Sequence, residues 1–339
     1  MVGALGGSWV WVGRLIGVAL VLLAVVGFVR YMTAMPGRSH RGPLAPLGER
    51  EQALRDELRT HVEMLAGTIG ERNMARMRAL NVAADFLRQT FAAMGYEVRE
   101  QAFRVAGEEV RNLEVELRGH AKPEEIVVIG AHYDSVYGSP GANDNASGVA
   151  ALVALARAAR GKEFARTVRF VAFVNEEPPY FQRGAMGSQH YAREAKRRGE
   201  KIVAMMSLET IGCYSDAPGS QSYPAPFSFF YPTTGNFLGF VGNLGSRRLV
   251  RQAIGAFRET TPFPSEGVAA PTVIPGIGWS DQWSFWEEGY DGIMVTDTAL
   301  FRYAEYHTAR DRPEILDYER LARVVAALER VLAAVASSN

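Results

Sequence analysis

The sequence is poor in the residues that build several common kinds of site. It contains a single cysteine, Cys213, so an intrachain disulfide and a cysteine-based zinc site are both excluded. Lysine plus arginine and aspartate plus glutamate each number 37, which gives a formal net charge of zero. Because nucleic-acid binding needs a basic surface, we expect no nucleic-acid partner. Any metal site must use aspartate, glutamate and the six histidines.

The sequence also lacks internal repeats and low-complexity tracts. Hydrophobic residues make up 47% of the chain and charged residues 22%, which is enough apolar material for a full core. The length of 339 residues suits one large α/β domain or two smaller ones.

One long hydrophobic run lies near the N-terminus, from Leu15 to Val29. This run alone is shorter than the roughly 20 residues that span a bilayer. The stretch from Ser8 to Met32 is long enough if Arg14 extends its charge toward the membrane surface. We therefore predict a transmembrane helix that acts as an uncleaved membrane anchor within residues 1–35. A signal peptide cleaved near Ala34 is the alternative.

Residues 36–48 contain prolines, glycines and basic residues, and this composition predicts a linker. Residues 49–339 then form the predicted folded domain. Within it, helical spacing of apolar residues predicts helices at 49–66, 74–94, 147–160, 188–198 and 318–335.

Short apolar runs between these helices predict strands at 126–130, 168–174, 202–208 and 292–296. Alternating patterns add half-buried strands at 97–105 and 112–117. Apolar strands that alternate with helices are typical of a sheet covered on both faces. We predict a three-layer α/β/α fold with a central mixed, mainly parallel sheet.

Two segments depart from this alternation, residues 218–242 and residues 262–277. The first is rich in aromatic residues, and both are long and irregular in pattern. Long loops inside a compact domain tend to be functional, so we predict that both segments wall a substrate pocket. The alternative is that their aromatic side chains pack against the core.

Acidic and imidazole side chains follow the predicted strands at the point where each one ends. They are His132, Asp134, Glu176, Glu177, Glu209 and, farther along the chain, His307. Ligands of open parallel sheets bind at the carboxyl ends of the strands, so we expect these side chains to converge. Buried ionised carboxylates without partners cost several kcal/mol each, and a divalent metal removes that cost. Histidine with carboxylates is a zinc-type ligand set.

Four motifs in this part of the chain resemble the metal motifs of the M28 peptidase family of zinc aminopeptidases. They are His132-Tyr133-Asp134-Ser135, the run from Gly141 to Gly148, Asn175-Glu176-Glu177 and Tyr306-His307-Thr308. They occur in the family's order, and the resemblance covers roughly residues 50 to 339.

This resemblance implies a site with two Zn²⁺ ions, although Co²⁺ or Mn²⁺ can occupy the same ligands. Asp144 would bridge both ions. Glu177 and His307 would complete one metal, and His132 with Glu209 would complete the other.

The resemblance implies a different role for Glu176, which would act as general base on the water between the ions. Asp134 would accept a hydrogen bond from the imidazole of His132. Tyr306 would donate to the developing oxyanion, and Asp281 resembles a supporting position. Many members of the family have aspartate where this chain has Glu209, which is one methylene longer.

The implied activity is that of a metal-dependent aminopeptidase acting on peptide substrates. A glutaminyl cyclase-like enzyme with one zinc, a carboxypeptidase-type relative and a non-catalytic membrane-anchored binding domain are the alternatives. The resemblance implies a catalytic domain outside the cytoplasm, held at the membrane by the N-terminal helix. The sequence does not specify an oligomeric state.

Overall fold

The structure, a computed structural model, describes residues 6–225 and 227–337. The first five residues of the predicted membrane segment and the last two of the predicted domain lie outside the described residues. The chain divides into two compact units, residues 1–34 and residues 35–339.

The first unit consists of one helix, α1 (Gly6–Thr33). Its stretch Gly13–Thr33 is long and apolar enough to cross a membrane. An N-terminal signal sequence has the same length and composition, so both interpretations of this segment remain.

The second unit is built on a single eight-stranded sheet within the described part of the chain. Its strands are β1 (Arg99–Val105), β2 (Glu108–Leu117), β3 (Lys122–His132), β4 (Arg166–Phe173), β5 (Lys201–Glu209), β6 (Leu238–Gly242), β7 (Ser265–Ala269) and β8 (Gly292–Thr296). They lie in the order β1-β2-β4-β3-β5-β8-β6-β7. The pairs β3–β4, β3–β5, β5–β8 and β6–β7 are parallel, and the pairs β1–β2, β2–β4 and β6–β8 are antiparallel.

Seven helices accompany this sheet in the described residues. They are α2 (Glu49–Val62), α3 (Met77–Ala93), α4 (Gly148–Ala159), α5 (Gly187–Arg197), α6 (Arg247–Thr260), α7 (Gln282–Glu287) and α8 (Tyr318–Ser337). A π-helical turn at Glu63–Ile69 extends α2.

Alternate residues of β3 face two separate hydrophobic clusters. Val127 and Ile129 belong to the larger cluster, which also includes the buried faces of α2, α3, α4, α6 and α8. Ile126 and Val128 belong to the smaller cluster, with α5 and Phe285 of α7. Since successive side chains of a strand point to opposite faces, the helices form one layer on each side of the sheet. This confirms the predicted three-layer α/β/α architecture with a mixed, mainly parallel sheet.

The structure corrects the interpretation of the two irregular segments. Each contains a short strand, β6 in the first and β7 in the second, and both strands extend the sheet beyond β8. Each is five residues long and rich in glycine or small side chains, so its apolar signal is weak.

Within the second unit, the segment from residue 35 to residue 48 contacts two helices through its backbone carbonyls. Arg258 of α6 donates from Nη1 to the carbonyl of Pro36 at 2.9 Å, and Arg323 of α8 donates to the carbonyl of Ala45. The division into an anchor, a linker and a peptidase domain stays a prediction.

Arg72 is fully buried beneath the edge of the sheet where the parallel strands end. Its guanidinium donates only to backbone carbonyls, among them Tyr133 at 2.7 Å and Gly141 at 2.8 Å. The same group also donates to the carbonyls of Gly70 and Pro140. Burial lowers the pKa of Arg72 to about 10, which leaves the side chain charged at neutral pH. Arg72 therefore holds both ends of the loop between β3 and the segment before α4.

Replacing Arg72 with methionine should destabilise the protein, because several buried carbonyls would lose their donor. We expect the R72M variant to lose about 3 kcal/mol or more of unfolding free energy. Urea unfolding of the full-length protein measures this loss. The exposed Arg78 provides the control, and R78M should change the stability by less than about 0.5 kcal/mol. Equal stability of the two variants would contradict the role given to Arg72.

Candidate metal centre

The ends of two neighbouring parallel strands bring the first pair of candidate ligands together. His132 is the last residue of β3, and Glu209 is the last residue of the adjacent strand β5. His132 Nε2 lies 3.2 Å from Glu209 Oε2 and 3.3 Å from Asp144 Oδ1. The three side chains are buried and form one group whose ligand atoms can hold a metal ion.

Asp144 lies in the turn of residues 142–147 that leads into α4. Asp311 fixes the backbone of this turn, because its two oxygens accept from the amides of Asn143 at 2.8 Å and Asp144 at 3.1 Å. The side chain of Asn145 donates to the carbonyl of Leu208 in β5 at 2.8 Å. These bonds set the direction in which the Asp144 carboxylate points.

A second group forms around the other oxygen of Asp144. His307 Nε2 lies 3.1 Å from Asp144 Oδ2 and 3.2 Å from Glu177 Oε2. Asp144, Glu177 and His307 can therefore hold a metal ion in the same manner as the first group. All five predicted ligands are brought together, in two groups that share Asp144 through different oxygens.

Several buried atoms at the centre fit a cation and have no hydrogen-bond partner among the described residues. Nε2 of His132, Nε2 of His307 and Oδ1 of Asp144 are of this kind. Two ligands bound at about 2.0 Å to a tetrahedral zinc lie about 3.3 Å apart. The separations of 3.1–3.3 Å between the imidazole nitrogens and the carboxylate oxygens match that value.

The centre carries more acidic groups than its two imidazoles can neutralise. Burial raises the pKa of Glu177 to about 8, and the charge of Asp144 adds to this effect. Burial alone would lower the pKa of His307, but Asp144 and Glu177 outweigh it and raise the pKa to about 10. The surplus of negative charge favours the binding of cations.

Glu176 belongs to neither ligand group, although it lies at the centre. Its Oε2 is 3.9 Å from His132 Nε2, and the side chain is buried. Burial raises the pKa of Glu176 well above its ordinary value. The charge of His132 opposes this shift, and the charge of Glu209 adds to it. A carboxyl group with a raised pKa beside a metal site suits proton transfer.

Asp134 joins the loops that follow β3 and β4. Its two oxygens accept from the amides of Glu176 and Glu177, each at 3.2 Å. Its Oδ1 also lies 3.4 Å from Nδ1 of His132, a long contact. Asp134 therefore orients the glutamate pair as well as facing the imidazole, and the first of these roles has no signal in the sequence.

Ser280 also supports the centre, and the sequence interpretation missed it. Its hydroxyl donates to Oε2 of Glu209 at 2.7 Å and contacts the hydroxyl of Ser207 at 2.9 Å. The neighbouring Asp281, which the sequence singled out, is fully buried, and burial raises its pKa to about 7. In the sequence, the position of Ser280 beside Asp281 was the available indication of its role. No sequence pattern indicated the roles of Asp311 and Arg72.

An apolar pocket opens beside the metal centre. Glu209 and Tyr306 belong to its lining, and both irregular segments contribute to its walls, as the sequence predicted. Tyr306 is half-buried and stacks on the ring of His307 at 3.8 Å. Burial raises the pKa of Tyr306 well above its ordinary value, and nearby carboxylates add to this, so its hydroxyl stays protonated and can donate.

Comparisons with known proteins identify the family of this chain. Residues 112–332 match the family model described as Peptidase family M28. The uncharacterized protein YfbL of Escherichia coli (strain K12) is 35% identical over 279 residues, which cover 80% of this chain and 85% of that protein.

Solved structures show the same fold at low identity. BSAP, a zinc aminopeptidase from Bacillus subtilis, has a TM-score of 0.66 and 15% identity, covering 84% of this chain and 95% of that chain. The glutaminyl cyclase of Porphyromonas gingivalis has a TM-score of 0.61 and 20% identity, with coverages of 82% and 97%. These likenesses show the fold alone, whereas the family match and the E. coli relative extend over most of the sequence. The chain therefore belongs to peptidase family M28 and is a metallopeptidase.

Proposed function

We propose that this metallopeptidase is an aminopeptidase whose site holds two divalent metal ions, with Zn²⁺ as the native metal. The observation that carries the proposal is the position of Asp144 between two complete ligand groups. Its Oδ1 faces His132, which also contacts Glu209, and its Oδ2 faces His307, which also contacts Glu177. One carboxylate that serves two such groups suits a pair of ions about 3.5–4 Å apart.

When bound, divalent metal ions would lower the pKa of a water in the site and polarise the scissile carbonyl. Glu176 accepts the proton from that water as the oxygen attacks the carbonyl carbon. The same carboxyl then gives the proton to the amine as the C–N bond breaks. Its position next to both ligand groups, yet outside each, supports this role.

Two further side chains assist Glu176. Asp134 fixes the backbone that carries Glu176 and Glu177, and it faces Nδ1 of His132. The hydroxyl of Tyr306 donates to the oxygen of the scissile carbonyl as negative charge develops there. The apolar pocket beside Tyr306 receives the side chain of the substrate's N-terminal residue.

The second ligand group distinguishes this proposal from the cyclase-like alternative. A glutaminyl cyclase-like reaction would use one zinc, whereas this chain has two ligand groups. His132 and Glu209 form one group with Asp144, and His307 and Glu177 form the other. A carboxypeptidase-type relative would trim the other end of a peptide. A non-catalytic binding domain would not require Glu176, which is buried beside both ligand groups and belongs to neither.

The N-terminal helix completes the proposal. We propose that α1 anchors the protein in a membrane and that residues 49–339 form the peptidase domain outside the cytoplasm. The length and apolar composition of Gly13–Thr33 support the anchor.

The substitution Glu176→Gln removes the proposed base while keeping its size and its hydrogen-bonding capacity. We expect kcat for an aminoacyl-nitroanilide to fall by about 10²–10⁴-fold, with the metal content unchanged. Elemental analysis and steady-state kinetics on the full-length protein measure both quantities. Glu287→Gln, at an exposed position of α7, should retain full activity. A fully active Glu176→Gln enzyme would refute the assigned base.

The number of metal ions tests the two ligand groups separately. Wild-type protein should bind two Zn²⁺ per chain. His307→Ala and His132→Ala should each reduce that number to one, because each variant removes a ligand from only one group. Mass spectrometry of metals in the purified full-length protein gives the count, with the exposed His120→Ala as the control. One ion in the wild type would instead favour the cyclase-like alternative.

A further inference from the structure

A single row of paired residues crosses the sheet away from the metal centre. Glu209 of β5 pairs with Thr296 of β8, Thr296 pairs with Gly239 of β6, and Gly239 pairs with Glu266 of β7. Directly paired residues point to the same face of a sheet. Neighbouring strands lie about 4.8 Å apart, so the three steps from Glu209 to Glu266 cover about 14 Å.

This row forms part of the floor of the apolar pocket, since all four of its residues belong to the pocket lining. Gly239 keeps the floor open between Thr296 and Glu266. A Cβ atom placed on Gly239 would lie only 3.2 Å from the carbonyl oxygen of Thr296. The pocket therefore has Glu209 of the metal centre at one end of its floor and the carboxylate of Glu266 at the other.

Within the part of the chain that the structure describes, the carboxylate of Glu266 has no cationic group at hydrogen-bond distance, although the charges of Arg258 and Arg41 act on it. The nearest arginine atom, Nη2 of Arg258, lies 3.8 Å away, beyond hydrogen-bond distance. Arg258 instead donates to the side chain and carbonyl of Ser265 and to the carbonyl of Pro36. The Glu266 side chain keeps 23% of its surface exposed. Burial raises its pKa above the ordinary value, although a hydrogen bond from Ser39 opposes this, so a cation beside it would be favourable.

The walls of the pocket suit the stem of a long side chain. They carry aromatic rings from the first irregular segment, including Tyr223, Phe227 and Phe237. Lysine and arginine bury their methylene groups along apolar surfaces while keeping the charge at a polar end. An apolar channel that ends in a carboxylate matches such a side chain.

We propose that Glu266 makes this pocket selective for substrates whose N-terminal residue is lysine or arginine. The inference rests on the proposed aminopeptidase function and names its substrate class. The five bonds from Cα to Nζ of an extended lysine span about 6 Å. With contacts of about 3–4 Å at each end, this reach is comparable to the distance of about 14 Å between the backbones of Glu209 and Glu266. A leucine side chain stops short of Glu266.

The test compares lysine with norleucine, which has a straight side chain of similar length but no ammonium group. Full-length, zinc-loaded protein is assayed on the lysyl, arginyl, norleucyl and leucyl p-nitroanilides. We expect the lysyl and arginyl substrates to have the higher kcat/KM. Glu266→Gln should lower kcat/KM for the lysyl substrate by about 10- to 100-fold, the effect of one charged hydrogen bond. The norleucyl and leucyl substrates should change little.

Glu288→Gln is the matched control. Like Glu266, Glu288 has an arginine nitrogen at 3.8 Å and a side chain that is 23% exposed, but it lies outside the pocket lining. This variant should keep the lysine preference. A wild-type enzyme that prefers norleucine, or a Glu266→Gln variant that still prefers lysine, would overturn the proposal.

Binding of the free amino acids separates this proposal from the proposed function. Calorimetry with L-lysine and L-norleucine, the products of such a reaction, reports on the pocket without any turnover. Tighter binding of lysine, lost in Glu266→Gln, supports the pocket assignment even if no aminoacyl substrate is hydrolysed. Absence of hydrolysis would refute the aminopeptidase function alone, whereas equal binding of both amino acids would refute the role of Glu266.

Discussion

Six acidic side chains lie buried around two imidazoles at the edge of the sheet where the parallel strands end. They are Asp134, Asp144, Glu176, Glu177, Glu209 and Asp281. Isolated ionised carboxylates in such a place would each cost several kcal/mol. Although burial lowers the pKa of His132 and His307, the neighbouring carboxylates outweigh it and raise both values, so the imidazoles offset part of this cost. Bound cations would offset more of it. The surrounding loops are arranged to hold these buried carboxylates in place.

The supporting contacts fix the backbone of the loops as well as the ligands. Arg72 binds the carbonyls at both ends of the loop after β3, and Asp311 binds the amides that precede the Asp144 side chain. Asp134 binds the amides of the glutamate pair. Because these contacts are made to main-chain atoms, the protein itself fixes the backbone from which the ligands extend.

The same sheet also connects the metal centre with the pocket. β5 supplies Glu209, and the three strands beyond it supply the floor that leads to Glu266. The row of paired residues from Glu209 to Glu266 thereby connects the metal centre with the site where a substrate side chain would be recognised. The distance between the backbones of Glu209 and Glu266 is set by the spacing of strands and does not depend on the loops.

The sequence by itself determined the α/β layering, the apolar N-terminal helix and the residues of the centre. These features depend on local patterns, because apolar runs mark buried strands and parallel strands end at a common edge. Only the tertiary structure decided that Asp144 directs one oxygen to each ligand group. It also decided which residues support the ligands and that β6 and β7 extend the sheet. Ser280 and Arg72 act through partners distant in the chain. The place of Glu266 in the pocket lining likewise depends on strand order and register. Glycine-rich strands of five residues carry too little pattern to reveal that order.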